Sequence, residues 1–141
     1  MILHCFAFIW IFLLLLRLSY TDLKTQELEN LHIALIIIPA CVFSVKMEYR
    51  IIGSLFPLIM TPFLGFGDIL LYSALGFVFG IDNLIIIMTI SAILGGLYAL
   101  FLLATKKAKA QDSFAFAPNI TIAFLLFSVQ KICSAGIQVF F

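Results

Sequence analysis

Residues 51–81 read IIGSLFPLIMTPFLGFGDILLYSALGFVFGI, and Asp68 is the only charged side chain among them. A carboxylate in such surroundings is costly, from roughly 2.5 kcal/mol upward at mid-bilayer. A residue of this kind reads as a functional site and asks for a partner. Gly65 and Gly67, just before it, let the backbone turn or pack where a side chain would not fit. The same stretch also constrains the helix count. It is shorter than the roughly 40 residues that two full membrane spans need. Two helices fit if their junction, Gly65 to Asp68, lies below the membrane surface and recesses the carboxylate into the protein. The glycines and Pro62 mark that break. One span plus a re-entrant piece is the rival arrangement.

Composition widens the argument to the whole chain. Of 141 residues, 65% are hydrophobic and 11% charged, with a mean hydropathy of +1.25. An ordinary soluble domain carries roughly 25% charged residues. No polar stretch is long enough for a separate water-soluble domain, and the longest, Thr105 to Ser113, reads as a loop. The net charge of +1 comes without a basic patch interleaved with aromatics, so nucleic acid is not an expected partner. The expectation is an all-α membrane bundle of about six transmembrane helices, forming one embedded unit over residues 1–141.

The apolar segments run from Ile2 to Thr21, Leu31 to Val45, Ile51 to Leu64, Ile69 to Ile81, Leu84 to Ala104 and Phe114 to Phe141, the last interrupted by Lys131. The first, fifth and sixth reach the ~20 residues of a spanning helix, and the others are short. The first lacks a positive start and a small-residue cleavage site, so it reads as a retained helix. Orientation follows Lys and Arg. The loops after spans one, three and five, with their flanks, hold Arg17, Lys24, Lys106, Lys107 and Lys109; the other side holds Lys46, Arg50 and Lys131. That bias puts the first set in the cytosol and the N-terminus outside. Lys106 to Lys109 would anchor a loop to anionic headgroups.

On this topology Asp22, just after span one, shares the cytosolic side with Asp68. Two carboxylates sharing a site cannot both ionise cheaply, so the pair holds one proton. One can then act as general base on a water while the other donates a hydrogen bond to a scissile carbonyl. That is the chemistry of aspartic proteases.

Asp22-Leu23-Lys24-Thr25-Gln26-Glu27-Leu28-Glu29-Asn30 and Gly65-Phe66-Gly67-Asp68 resemble the two motifs of the type IV prepilin peptidases, and Phe116-Ala117-Pro118 is similar to the Phe-Gly-Pro that opens that family's last helix. Gly95-Gly96 falls where the family tends to carry small residues. The resemblance runs from about Leu13 to Phe127. It implies a membrane aspartic endopeptidase of the bacterial inner (cytoplasmic) membrane with Asp22 and Asp68 as catalytic pair. Its substrates would be type IV prepilins or pseudopilins, losing a basic leader at the cytosolic face. Gly65, Gly67 and Asn30 support the motifs, and Asn30 is the expected N-cap of span two. Glu27 and Glu29 are candidates to hold the leader, or else form a solvated loop face. The chain departs from the family at Glu29, usually Pro, and at Leu70, usually Lys. A lost cation near the pair raises its pKa.

Many members of that family also have a cytosolic domain with paired Cys-x-x-Cys motifs that methylates the mature pilin. Cys5, Cys41 and Cys133 are single and widely spaced. They read as small hydrophobes without metal spacing, so no metal or cofactor is expected and the resemblance is to the protease-only short forms. Bland readings stand beside these. Asp22 could be an interfacial charge, and Asp68 a cap of span four. Asp82-Asn83 reads as a cap of span five, and His4 and His32 as helix-end residues. Trp10, Tyr20 and Tyr49 read as interfacial anchors. A catalytically weak homologue acting in pilus or secretion assembly, or a small transporter using Asp68 as an ion site, are the competing functions. Presenilin-like proteases also use Gly-x-Gly-Asp, but their first aspartate lies within a helix, whereas loop-like residues follow Asp22.

Overall fold

The structure is a computed structural model and describes residues 2–25, 29–61, 64–105 and 116–138. Its helices are α1 (Ile2–Thr25), α2 (Asn30–Ile36), α3 (Met47–Leu55), α4 (Phe66–Ala104) and α5 (Ala117–Gln138). Short 3-10 turns, Ile38–Val42 and Phe56–Met60, extend α2 and α3. Each begins beside a proline, Pro39 and Pro57. Proline removes the donor that a continuing α-helix would use and tightens the chain instead. No strand occurs among the described residues, as the composition requires.

The most consequential feature is inside α4. A straight helix of 39 residues would be about 58 Å long. Gly80, however, sits at φ 78° and ψ 170°, a conformation open essentially to glycine alone. Tyr72 and Ser91, 19 positions apart, share a hydrogen bond between their hydroxyls. Along a straight helix they would be about 28 Å apart. The helix therefore turns back at Gly80 into two limbs, 66–79 and 81–104, which lie against each other. Asn83 Nδ2 donates to the Phe79 carbonyl at 2.8 Å across the turn. This corrects its expected role, because it ties back to the preceding limb rather than capping the following one. Ile81 to Phe101 thus return past the residues that follow Asp68.

Among the described residues three helices, Ile2–Thr25, Phe66–Ala104 and Ala117–Ser134, are long and apolar enough to cross a membrane, with Phe66–Ala104 counted once despite its turn at Gly80. The expected all-α class is shown; the count of about six spans is not confirmed, although the short helices occupy the expected apolar segments. Pro39 and Pro57 sit where the second and third apolar segments pass into 3-10 turns, and Gly80 separates the fourth segment from the fifth, whose limb 81–104 keeps spanning length. Lys131 does not interrupt the last segment; α5 runs through it.

The core gathers one stripe from each long helix. In α1 it is Ile11, Leu15, Leu18 and Asp22, all buried, at the three- and four-residue steps of one helix face. Outward residues such as Ile9, Leu13 and Leu16 are apolar and exposed, as expected where lipid replaces water. Helix α5 runs antiparallel to α1. Thr121 Oγ1 meets Ser19 Oγ at 2.6 Å and donates to the Leu15 carbonyl at 3.2 Å. Helix α3 lies on α4 where Gly53 abuts the Gly76 backbone; a Cβ at either position would collide with the other chain segment.

Arg50, counted with Lys46 and Lys131 on one side of the membrane, is not a surface charge. It is 8% exposed and donates to the carbonyls of Val45, Phe77, Ala40 and Phe43 at 3.1, 3.2, 2.7 and 2.6 Å. Its guanidinium also stands 5.7 Å from the Phe77 ring centre. The planar fork of donors suits such a cluster of carbonyls. Arg50 thus closes the chain reversal between α2 and α3, and drops out of any count of surface charge used for orientation.

Candidate active site

Asp22 does not follow α1; it is inside it, in the last turn, and is 7% exposed. The helix continues to Thr25 because Thr21 and Thr25 return their hydroxyls to the carbonyls of Leu18 and Thr21. The Asp22 side chain faces α5. Its Oδ2 accepts the Ala117 N–H at 3.0 Å, the first amide of that helix. Helix N-termini present unpaired N–H groups and partial positive charge, and Pro118 has no donor of its own. Asp22 therefore satisfies the beginning of α5 from a different helix. The N–H can only donate, so Oδ2 is held as an acceptor, and no hydrogen bond engages Oδ1 among the described residues.

Asp68 lies in the first turn of α4, after Gly65 at the cap position, and is half-buried. Gly65 has no side chain with which to cap this helix, and Asp68 in its first turn stands where the partial positive charge of a helix N-terminus favours a carboxylate, as the capping reading expects. It opens on a cleft of about 390 Å³ shared with Leu64, Gly65, Tyr72, Met88 and Phe116. Gly65 stands close to the carboxylate: a Cβ there would come 3.4 Å from Oδ2. Asp22 is near enough for its charge to act on Asp68. Phe116 and Ala117 link the two groups. One lines the Asp68 cleft and the next binds Asp22. Gly95, on the returning limb of α4, leaves the space that the Phe116 ring fills.

Tyr72 and Ser91 were not singled out from the sequence. Tyr72 is four residues after Asp68 and so on the same helix face, a spacing that could have flagged it. Its ring lines the cleft, and its bond to Ser91 joins the two limbs of α4 one turn below the carboxylate. Nothing in the local sequence marks Ser91 as its partner, because the turn at Gly80 brings them together.

The remaining candidates are placed differently. Glu29, not Asn30, occupies the N-cap position of α2, and it makes no side-chain cap bond. Asn30 is the first helical residue. Glu29 is half exposed and lies 2.6 Å from Nδ1 of the buried His32. The two atoms are close, but their geometry is not that of an aligned hydrogen bond. Leu70 does not line the Asp68 cleft. It lines a second one, of about 330 Å³, with Asn30, Ile33 and Phe77, so a cation at this position would first meet α2. Gly67 is in the opening turn of α4 beside Asp68. Glu27 and Lys106 to Lys109 lie outside the described residues. Cys5 is half-buried, but Cys41 and Cys133 are exposed, against their reading as packed hydrophobes. Trp10 bonds the Leu35 carbonyl at 3.3 Å, joining α1 to α2.

Residues 7–100, which contain both aspartates, match the family model described as type IV leader peptidase family. The chain belongs to this family. It is accordingly a peptidase-family membrane protein built from apolar helices. The helical setting of Asp22 removes one of the distinctions from presenilin-like proteases, and the family match supplies the distinction instead. Among curated proteins and solved structures, none matches the chain. The matched region ends before α5, yet α5 supplies the amide that holds Asp22.

Proposed function

We propose that this type IV leader peptidase family member is an aspartic endopeptidase that uses Asp22 and Asp68. It removes the basic leader of type IV prepilins or pseudopilins at the cytosolic face of the bacterial inner membrane. The observation that carries the reading is the burial of Asp22 beside Asp68, with its Oδ2 engaged by Ala117. An ion site built on Asp68 alone would need Asp22 only for its bond to the start of α5, whereas the peptidase reading uses both carboxylates. The second oxygen of Asp22 and the Asp68 carboxyl would share one proton and a water between them. One carboxylate takes a proton from the water as it attacks the scissile carbonyl, and the other donates a hydrogen bond to the carbonyl oxygen. Gly65 and Gly67 keep the approach to Asp68 narrow in backbone and free of side chains. Glu27 and Glu29 would meet the basic leader by charge. Methyl transfer is not part of the proposal.

The test is processing of a co-expressed prepilin, read as a shift in pilin size. The wild type should cleave, and Asp22→Asn and Asp68→Asn should each abolish cleavage while remaining in the membrane. Cleavage that survives either substitution would sink the carboxylate-pair mechanism.

A further inference from the structure

A cavity of about 590 Å³ opens at the end of the bundle away from the aspartates. Its walls include Phe8, Phe43, Phe79 and Phe127. These rings form one cluster: Phe8 stacks on Phe79 at 5.6 Å, and Phe43 and Phe127 meet Phe79 at 4.8 and 5.8 Å. Polar groups are few and include His4, Asn83 and Lys131. The Lys131 ammonium stands 5.6 Å from the Phe127 ring centre, and Lys131 itself is exposed. No carboxylate is among the described lining residues. Cavities of this size, mostly apolar with a few convergent polar groups, suit small amphiphilic ligands.

Position narrows the ligand further. His4 and Asp22 belong to the same helix, about 27 Å apart at 1.5 Å per residue. That is close to the ~30 Å thickness of a bilayer's hydrocarbon core. The cavity and the aspartates therefore sit at opposite ends of a membrane-length helix. An apolar body and an exposed cation at the far end match a lipid better than a water-soluble anion.

We propose that this cavity binds an anionic phospholipid, one acyl chain lying among the four phenylalanines and the phosphate meeting Lys131. Asn83 and His4 add polar contacts at the headgroup. The site is separate from the peptidase reading and does not depend on it.

Native mass spectrometry of the purified protein, exchanged into detergent with phosphatidylglycerol or phosphatidylcholine, tests it. The wild type should retain phosphatidylglycerol in preference. Lys131→Gln should weaken that retention about fivefold, the worth of roughly one interfacial cation. Lys131 is exposed, so this variant should fold. Cys5→Trp, which fills the cavity from α1, should abolish retention of both lipids, with an unchanged circular dichroism spectrum as control. Equal retention of the two lipids, or a Lys131→Gln variant that behaves as wild type, would overturn the proposal. Displacement of the lipid by excess inorganic phosphate would overturn it too, since the anion alone would then be what is recognised.

Discussion

Asp22, buried near the end of α1, accepts the first amide of α5 from Ala117, 95 residues further along the chain. One side chain therefore serves the packing of α1 on α5 and the placement of a carboxylate beside Asp68. A charge-assisted bond of this type contributes about 1.5–3 kcal/mol.

The two roles of Asp22 separate by substitution. Asp22→Asn keeps an oxygen for the Ala117 amide and should lower thermal stability in detergent only slightly, while losing cleavage. Asp22→Leu leaves a buried amide unpaired and should cost about 1–3 kcal/mol as well. Equal melting temperatures for the two variants would show that the bond to Ala117 does not support the fold.

Tyr72 and Ser91 join the two limbs of α4 beside Asp68. In Tyr72→Phe the bond is lost at a cost of about 1 kcal/mol, and kcat for prepilin cleavage should fall with KM nearly unchanged, because Asp68 is held less firmly. Ser91→Ala should have a similar effect. The double variant should be no worse than either single one, since both remove the same bond. Additive losses would mean that the residues act independently.

Glu29 is exposed enough to meet a basic leader. Reversal of Glu27 and Glu29 to Lys should raise KM for a prepilin with a basic leader and leave kcat close to wild type. Like charges across a contact repel and slow encounter. Unchanged kinetics would remove both residues from substrate recognition.

Arg50 donates to four carbonyls from a buried position. Arg50→Met removes the shared donor; the Ala40 and Phe43 carbonyls keep the amides of Phe43 and Val45, but each acceptor left dry costs about 1–3 kcal/mol, so the bundle should be destabilised by at least one such increment. Arg50→Lys should rescue little, because an ammonium cannot span the same fork. Thermal unfolding in detergent measures both, and a Lys variant as stable as wild type would show that charge alone suffices.

Much of the chain was legible without coordinates. Its apolar content requires internally satisfied helices, since lipid offers backbone groups no partner. The isolation of Asp68 among uncharged residues singled out that carboxylate, and the motif resemblance led to Asp22. The prolines at 39 and 57 mark where the apolar runs shorten into 3-10 turns. The N-cap of α2 was misplaced by one residue, because side-chain preference favoured Asn30 while the backbone placed Glu29 outside the helix.

The sequence by itself determined the class of fold and the apolar segments, because these follow from local composition and spacing; it singled out Asp68 by its isolation, and the family resemblance pointed to Asp22. Only the tertiary structure decided how they are used. The turn at Gly80 brings Ser91 to Tyr72, the start of α5 reaches Asp22, and Arg50 moves from surface to interior. Each depends on groups far apart in the chain meeting to satisfy a buried donor or acceptor. No local pattern encodes which distant partner will do so, because the choice is made by how the helices pack.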